Sequence, residues 1–219
     1  RKGRCGRMAN GICIRLYPES DFTARPLFTD PEIVRTNLAS VILRMKYLKM
    51  GDVEEFPFLD APEQKAVNEG SKLLIELDAL NHSKQLTECG RKMSVLPVDP
   101  KYARMLIIAE PQGCLRELLI IVSALSIQDP REISSDNRQH ALQKLAEFNH
   151  PDSDFMGFVN LWNDYEVKRQ NLSQSQLRKH CKQYFLSYMR MREWREVHHQ
   201  LLLACQHLGM SINSDKGAY

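Results

Sequence analysis

Gly113-Cys114-Leu115-Arg116-Glu117-Leu118-Leu119-Ile120-Ile121-Val122-Ser123-Ala124-Leu125-Ser126-Ile127 is the greasiest part of the chain. Laid on a helix of 3.6 residues per turn, Leu118, Leu119, Ile120, Ile121, Val122 and Leu125 cover most of the circumference, so this segment is expected to be a central helix. Its apolar run is far shorter than the roughly 20 residues a membrane span requires.

Further helices are expected on either side. Punctuation at Pro111-Gln112-Gly113, Asp129-Pro130, His150-Pro151 and Ser173 divides the second half into helices over 100–110, 113–127, 136–148, 152–171, 174–186 and 187–208. Such lengths and short connections predict a helical bundle. Upstream, Val34, Leu38, Val41, Ile42, Met45 and Leu48 give one apolar face to a helix over 32–48. Pro62 opens a second helix reaching about Leu77, with Val67, Leu73, Leu74 and Leu77 inward. A short third helix runs to Ser94 with Thr87 as its N-cap. Near the start, Ile12, Ile14 and Leu16 alternate with Cys13, Arg15 and Tyr17 before Pro18, which reads as one strand.

The first seven residues, Arg1-Lys2-Gly3-Arg4-Cys5-Gly6-Arg7, place an arginine at every third position with a glycine inside each interval. A guanidinium is a permanent planar cation that meets phosphate through two parallel hydrogen bonds, and glycine lets backbone or ligand approach closely. A solvated basic tail would carry the same composition.

An arginine-glycine segment feeding a strand resembles the last conserved motif of superfamily 2 helicases, Q-R-x-G-R-x-G-R in the DEAH-box group. The chain starts one residue after the glutamine, and Cys5 stands where many members have alanine. Thr29-Asp30-Pro31-Glu32-Ile33-Val34-Arg35-Thr36-Asn37-Leu38 resembles the passage from the second RecA-like domain into a winged helix. Leu86-Thr87-Glu88-Cys89-Gly90-Arg91 with Leu96-Pro97-Val98-Asp99-Pro100 is similar to the exit from the wing. Ser126-Ile127-Gln128-Asp129-Pro130-Arg131 and Arg192-Glu193-Trp194 resemble the bacterial HrpA-type branch, except that Ile133-Ser134 replaces an expected Arg-Pro.

The resemblance implies a mainly α fold in three parts. Residues 1–31 would end a RecA-like domain, 32–98 would form a winged-helix domain whose wing strands the sequence does not locate, and 99–219 would form a ratchet-like bundle. It further implies an ATP-dependent RNA helicase that couples hydrolysis to movement along single-stranded RNA. Arg4 and Arg7 would be its catalytic cations, and with Gly3 and Gly6 they would face ATP and Mg2+ held by RecA-like domains of the same protein. The chain has neither a G-x-x-x-x-G-K-[ST] loop nor an Asp-Glu-Ala-His run, so it is not expected to hydrolyse ATP alone.

Charge placement carries the second functional signal. From Lys168 to Arg195 there are eight basic residues against the single acid Glu193, a balance of +7 in a chain whose net charge is +3. Arg178, Lys179, Lys182, Arg190, Arg192 and Arg195 are the candidate contacts to RNA backbone, a largely sequence-independent and salt-sensitive kind of binding. Tyr184, Tyr188, Met191 and Trp194 fall at helical spacing with Leu201 and Leu208, which favours a core role over base stacking. A stand-alone winged-helix nucleic-acid module using Thr87 to Ser94 as recognition helix is one alternative, and a helical scaffold with merely solvated charge is another.

Composition excludes little else. Hydrophobic content of 43% and charged content of 26% describe an ordinary globular chain. Six cysteines never fall close enough for a C-x-x-C pair, and adjacent His198 and His199 diverge by about 100° on a helix, so no metal is expected. No signal peptide and no initiator methionine are present, which fits a piece of a longer cytoplasmic protein.

Overall fold

A computed structural model describes residues 6, 9–25 and 38–213. After α1 (Glu19–Ala24) come three helices of the first half, α2 (Ala39–Tyr47), α3 (Gln64–Glu76) and α4 (Glu88–Val95). The second half continues with α5 (Pro100–Ala109), α6 (Leu115–Leu125), α7 (Arg138–Leu145), α8 (Asp154–Asn171), α9 (Gln174–Gln183) and α10 (Tyr188–His207). A 3-10 turn at Ala146–Phe148 extends α7.

Local chemistry sets most of these boundaries. Thr87 caps α4 by accepting the Gly90 amide at 2.9 Å, and its own hydroxyl donates to the Asp78 carbonyl. Pro100 supplies the preset φ of a first helical turn at α5, where Asp99 Oδ1 accepts the Lys101 amide. Ser173 and Gln176 form a reciprocal capping box on α9. Pro62 lies one residue ahead of the Glu63 cap of α3 rather than inside its first turn.

Two corrections concern the N-terminal region. Residues 11–15 form no strand, and Ile12, Ile14 and Leu16 are almost fully exposed. A strand exists only through hydrogen bonds to a neighbour, and none lies alongside among the described residues. The α1 turn that follows was not expected; its Asp21–Arg25 pair and its acidic first turn support a helix with no buried residue. Between α3 and α4 the β pairing among the described residues is an isolated antiparallel bridge between Leu80 and Leu86, closed by a turn in which the Asn81 amide donates to the Gln85 carbonyl.

Buried side chains form two clusters. One gathers Leu38, Ile42, Leu74, Leu80, Met93, Leu106, Leu115, Leu119 and Val122 with Leu201, Cys205 and Met210. The other gathers Ile120, Ile121, Ala124, Phe148, Trp162, Tyr165, Leu177, Cys181, Met191 and Trp194. The expectation of a central α6 holds: eight of its residues are buried, and opposite sides of it serve the two clusters. Trp194 anchors the second cluster, its indole Nε1 donating to the Ile120 carbonyl at 3.0 Å and to Ser123 Oγ at 2.9 Å. α10 likewise contributes its first half to one cluster and its second half to the other.

Candidate nucleic-acid interface

The basic stretch occupies the end of α8, the whole of α9 and the first half of α10. α9 is held by its apolar side, where Leu177 and Cys181 are buried, and by His180 Nε2 against Asp164 Oδ2 of α8 at 3.0 Å. Its other side is open. There Arg178, Lys179 and Lys182, at i, i+1 and i+4, line an open depression of about 420 Å³ together with Gln174 and Ser175. All three cations are exposed, and Arg178 lies over the Tyr188 ring at 5.1 Å from its centroid, which steadies the guanidinium without consuming its N–H donors.

The three α10 arginines differ from one another. Arg192 is exposed and makes no ion pair among the described residues. Arg190 Nη1 donates to the Asp129 carbonyl at 2.9 Å. Arg195 Nε meets Glu166 Oε1 of α8 at 2.7 Å, and the same carboxylate accepts Arg169 from one turn further along α8. The candidates therefore separate into four outward-facing cations, Arg178, Lys179, Lys182 and Arg192, and two whose head groups are occupied.

The Asp129 contact belongs to a wider brace. Arg131 grips the Asp129 carboxylate bidentately at 2.8 and 3.0 Å and lies over the Phe158 ring. Burial pushes the Asp129 carboxyl up, but Arg131 and Arg190 outweigh that and hold it below its ordinary value. Backbone bonds from Glu132 to Phe185 and from Ser187 to Pro130 tie this loop to the α9–α10 turn. Phe185 takes φ +54 there, an uncommon conformation for a bulky residue.

The side chains at helical spacing along this stretch differ in burial. Trp194 and Met191 are fully buried, as expected from their spacing, and Tyr184 and Tyr188 are half-buried. Tyr184 donates to Glu147 Oε2 at 2.9 Å, a bond that raises its pKa. Among the described residues no group of three or more His, Cys, Asp or Glu could hold a metal, and no helix is long and apolar enough to cross a membrane.

Sequence reading did not find Glu166 and Asp129 as arginine acceptors, nor Gln174 and Ser175 in the depression. The Glu166–Arg169 spacing of three on a helix and the Asp129–Arg131 spacing of two in a loop were the local signals available; the Arg190–Asp129 and Arg195–Glu166 pairings join residues on different elements. Of the arginine-glycine segment, Gly3, Arg4 and Arg7 lie outside the described residues, and so does most of the Thr29–Leu38 motif. Gly6 is exposed with φ +77, a conformation that favours glycine.

Comparison with known proteins agrees with this architecture. Residues 72–98 match the winged-helix model of the helicase-associated domain (HA2), and residues 99–158 match its ratchet-like model. The whole chain is 49% identical to 17% of the ATP-dependent RNA helicase HrpA of Escherichia coli, and 48% identical to 17% of the HrpA homolog of Haemophilus influenzae. Over 99% of its length it is 33% identical to 30% of the human ATP-dependent RNA helicase DHX33. The chain thus spans about a sixth of its bacterial relatives. With 49% identity along its full length to the Escherichia coli protein, the chain carries the winged-helix and ratchet-like parts of a helicase-associated domain and corresponds to that region of HrpA-type RNA helicases.

Proposed function

We propose that this region guides single-stranded RNA and transmits the closure of ATP-binding domains to it, within an ATP-dependent RNA helicase of the cytoplasm. In this reading 32–98 is the winged helix, 99–219 the ratchet bundle, and 1–31 the end of a RecA-like domain belonging to the same protein. The observation that carries the RNA assignment is the open α9 face. Three cations on one exposed helical surface, with two polar side chains in the same depression, suit a phosphodiester backbone and offer no base-reading geometry. Arg192 extends the same chemistry onto α10, while Arg190 and Arg195 stand behind it on protein acceptors.

Arg4 and Arg7 enter the proposal through their spacing and the family resemblance. ATP with Mg2+ supplies the transferable phosphoryl group when bound to the RecA-like domains. The guanidinium groups of Arg4 and Arg7 would orient against its charge, and Gly3 and Gly6 would let the backbone approach. Because such contacts are completed only when a cleft shuts, they would link turnover to movement of the winged helix and bundle.

The test uses the full-length protein and a single-stranded oligouridylate. Replacing Arg178, Lys179 and Lys182 together by alanine should flatten the slope of log affinity against log salt by about 2, at about 0.7 per lost phosphate contact. An unchanged slope would remove α9 from the RNA path.

A further inference from the structure

Glu166 holds two cations of the basic stretch on one carboxylate. Its Oε1 lies 2.7 Å from Arg195 Nε as an ion pair and accepts Arg169 Nε at 3.2 Å, and its Oε2 accepts Arg169 Nη2 at 3.0 Å. The arrangement is not a sealed core pair. Both arginine side chains keep 35% of their surface exposed and the glutamate keeps 23%. Each guanidinium has five N–H donors, so both retain donors that this carboxylate does not use.

Two cations thereby contribute only one net positive charge to the surface at this point. An ion pair of such exposure is worth about 0–1 kcal/mol, and a phosphate offers a guanidinium the same fork geometry with release of condensed counterions. We propose that Glu166 is a resident competitor of RNA phosphate: it withholds Arg169 and Arg195 from the strand and so limits how tightly the region grips RNA. The inference rests on the RNA-guiding reading above and adds a regulatory residue to that site.

Salt-dependent binding of the full-length protein to a single-stranded oligouridylate tests this. Glu166→Gln should steepen the slope of log affinity against log salt by about 1.4, corresponding to two added single-strand phosphate contacts. Glu193→Gln removes one exposed acid of the same helical region that makes no ion pair among the described residues, and should raise affinity while leaving the slope alone. Adding Arg195→Ala to the Glu166→Gln protein should return about 0.7 of the slope. Arg169→Ala in the otherwise unaltered protein, which needs no substitution at Glu166, should leave the slope unchanged because that cation is already withheld.

A slope for Glu166→Gln equal to that of the parent or of Glu193→Gln overturns the inference. Flattening by Arg169→Ala alone overturns it too, since Arg169 would then already touch RNA. If the parent protein binds with no salt dependence, the RNA-guiding reading itself fails and the role of Glu166 falls with it.

Discussion

A Cβ built on Gly90 would fall 2.1 Å from the carbonyl oxygen of Ala79. The first turn of α4 thus lies directly on the backbone leading into the Leu80–Leu86 bridge, where Thr87 also donates to the Asp78 and Ala79 carbonyls. No side chain can rotate away to make room. Gly90→Ala should destabilise the chain by about 3 kcal/mol, at the upper end of the usual cost of overpacking, and a chemical-denaturation midpoint unchanged from the parent would show that α4 can lift off the bridge freely.

Trp194 predicts an asymmetry between two substitutions. Ser123→Ala removes one of two acceptors from the indole nitrogen but leaves the Ile120 carbonyl in place, so a loss of about 1 kcal/mol is expected. Trp194→Ala empties the centre of the second cluster and should cost about 3–5 kcal/mol. Comparable losses from the two, measured by urea unfolding, would refute this account of the cluster.

His198 stacks on Trp162 with ring centroids 4.5 Å apart, and its pKa is lowered to about 4, chiefly by burial. The unfolded chain binds a proton near pH 6.5 that the folded chain refuses until about pH 4. Stability from this group is therefore complete above pH 6.5 and is lost as pH falls towards 4. His198→Phe, which keeps a ring against Trp162, should make the decline of Tm over that interval shallower than in the parent. Parallel curves would mean the imidazole takes up its proton in the folded state.

Burial pushes the Cys181 and Cys205 thiols up to about 11, whereas Cys13 is exposed. The thiolate is the reactive form. At pH 8 an alkylating reagent should modify Cys13 in the native protein and reach Cys181 and Cys205 only with denaturant present. Mass spectrometry of the labelled peptides reads the outcome directly.

Arg4 and Arg7 admit a test in the full-length protein. Alanine at either position should lower RNA-stimulated ATP hydrolysis by a factor on the order of 10³ or more, the scale of arginine fingers in nucleotide hydrolases. RNA affinity in the absence of nucleotide should be preserved. Retained turnover would assign the segment to another task.

The helices from Pro100 onward were legible because their signals are local: Pro100 and Asp99 at one start, Ser173 with Gln176 at another, and apolar residues around the whole of α6. The segment from Ile12 to Tyr17 has an equally clear alternation, yet pattern supplies only a willingness to pair, and the partner edge must come from elsewhere. At the candidate interface, charge density pointed to α8, α9 and α10 but not to which of their cations are available. That was decided by Asp129 and Glu166, which lie 61 and 29 positions away in sequence from Arg190 and Arg195, respectively. Spacing rules along one helix cannot anticipate acceptors that arrive with another.

Because α6 and α10 each give one end or side to either cluster, the two hydrophobic cores share structural members. A displacement of α6 or α10 at one core is therefore also a displacement of a member of the other. For a region proposed to turn domain closure into motion of a strand, such shared members join input to output without an intervening linker.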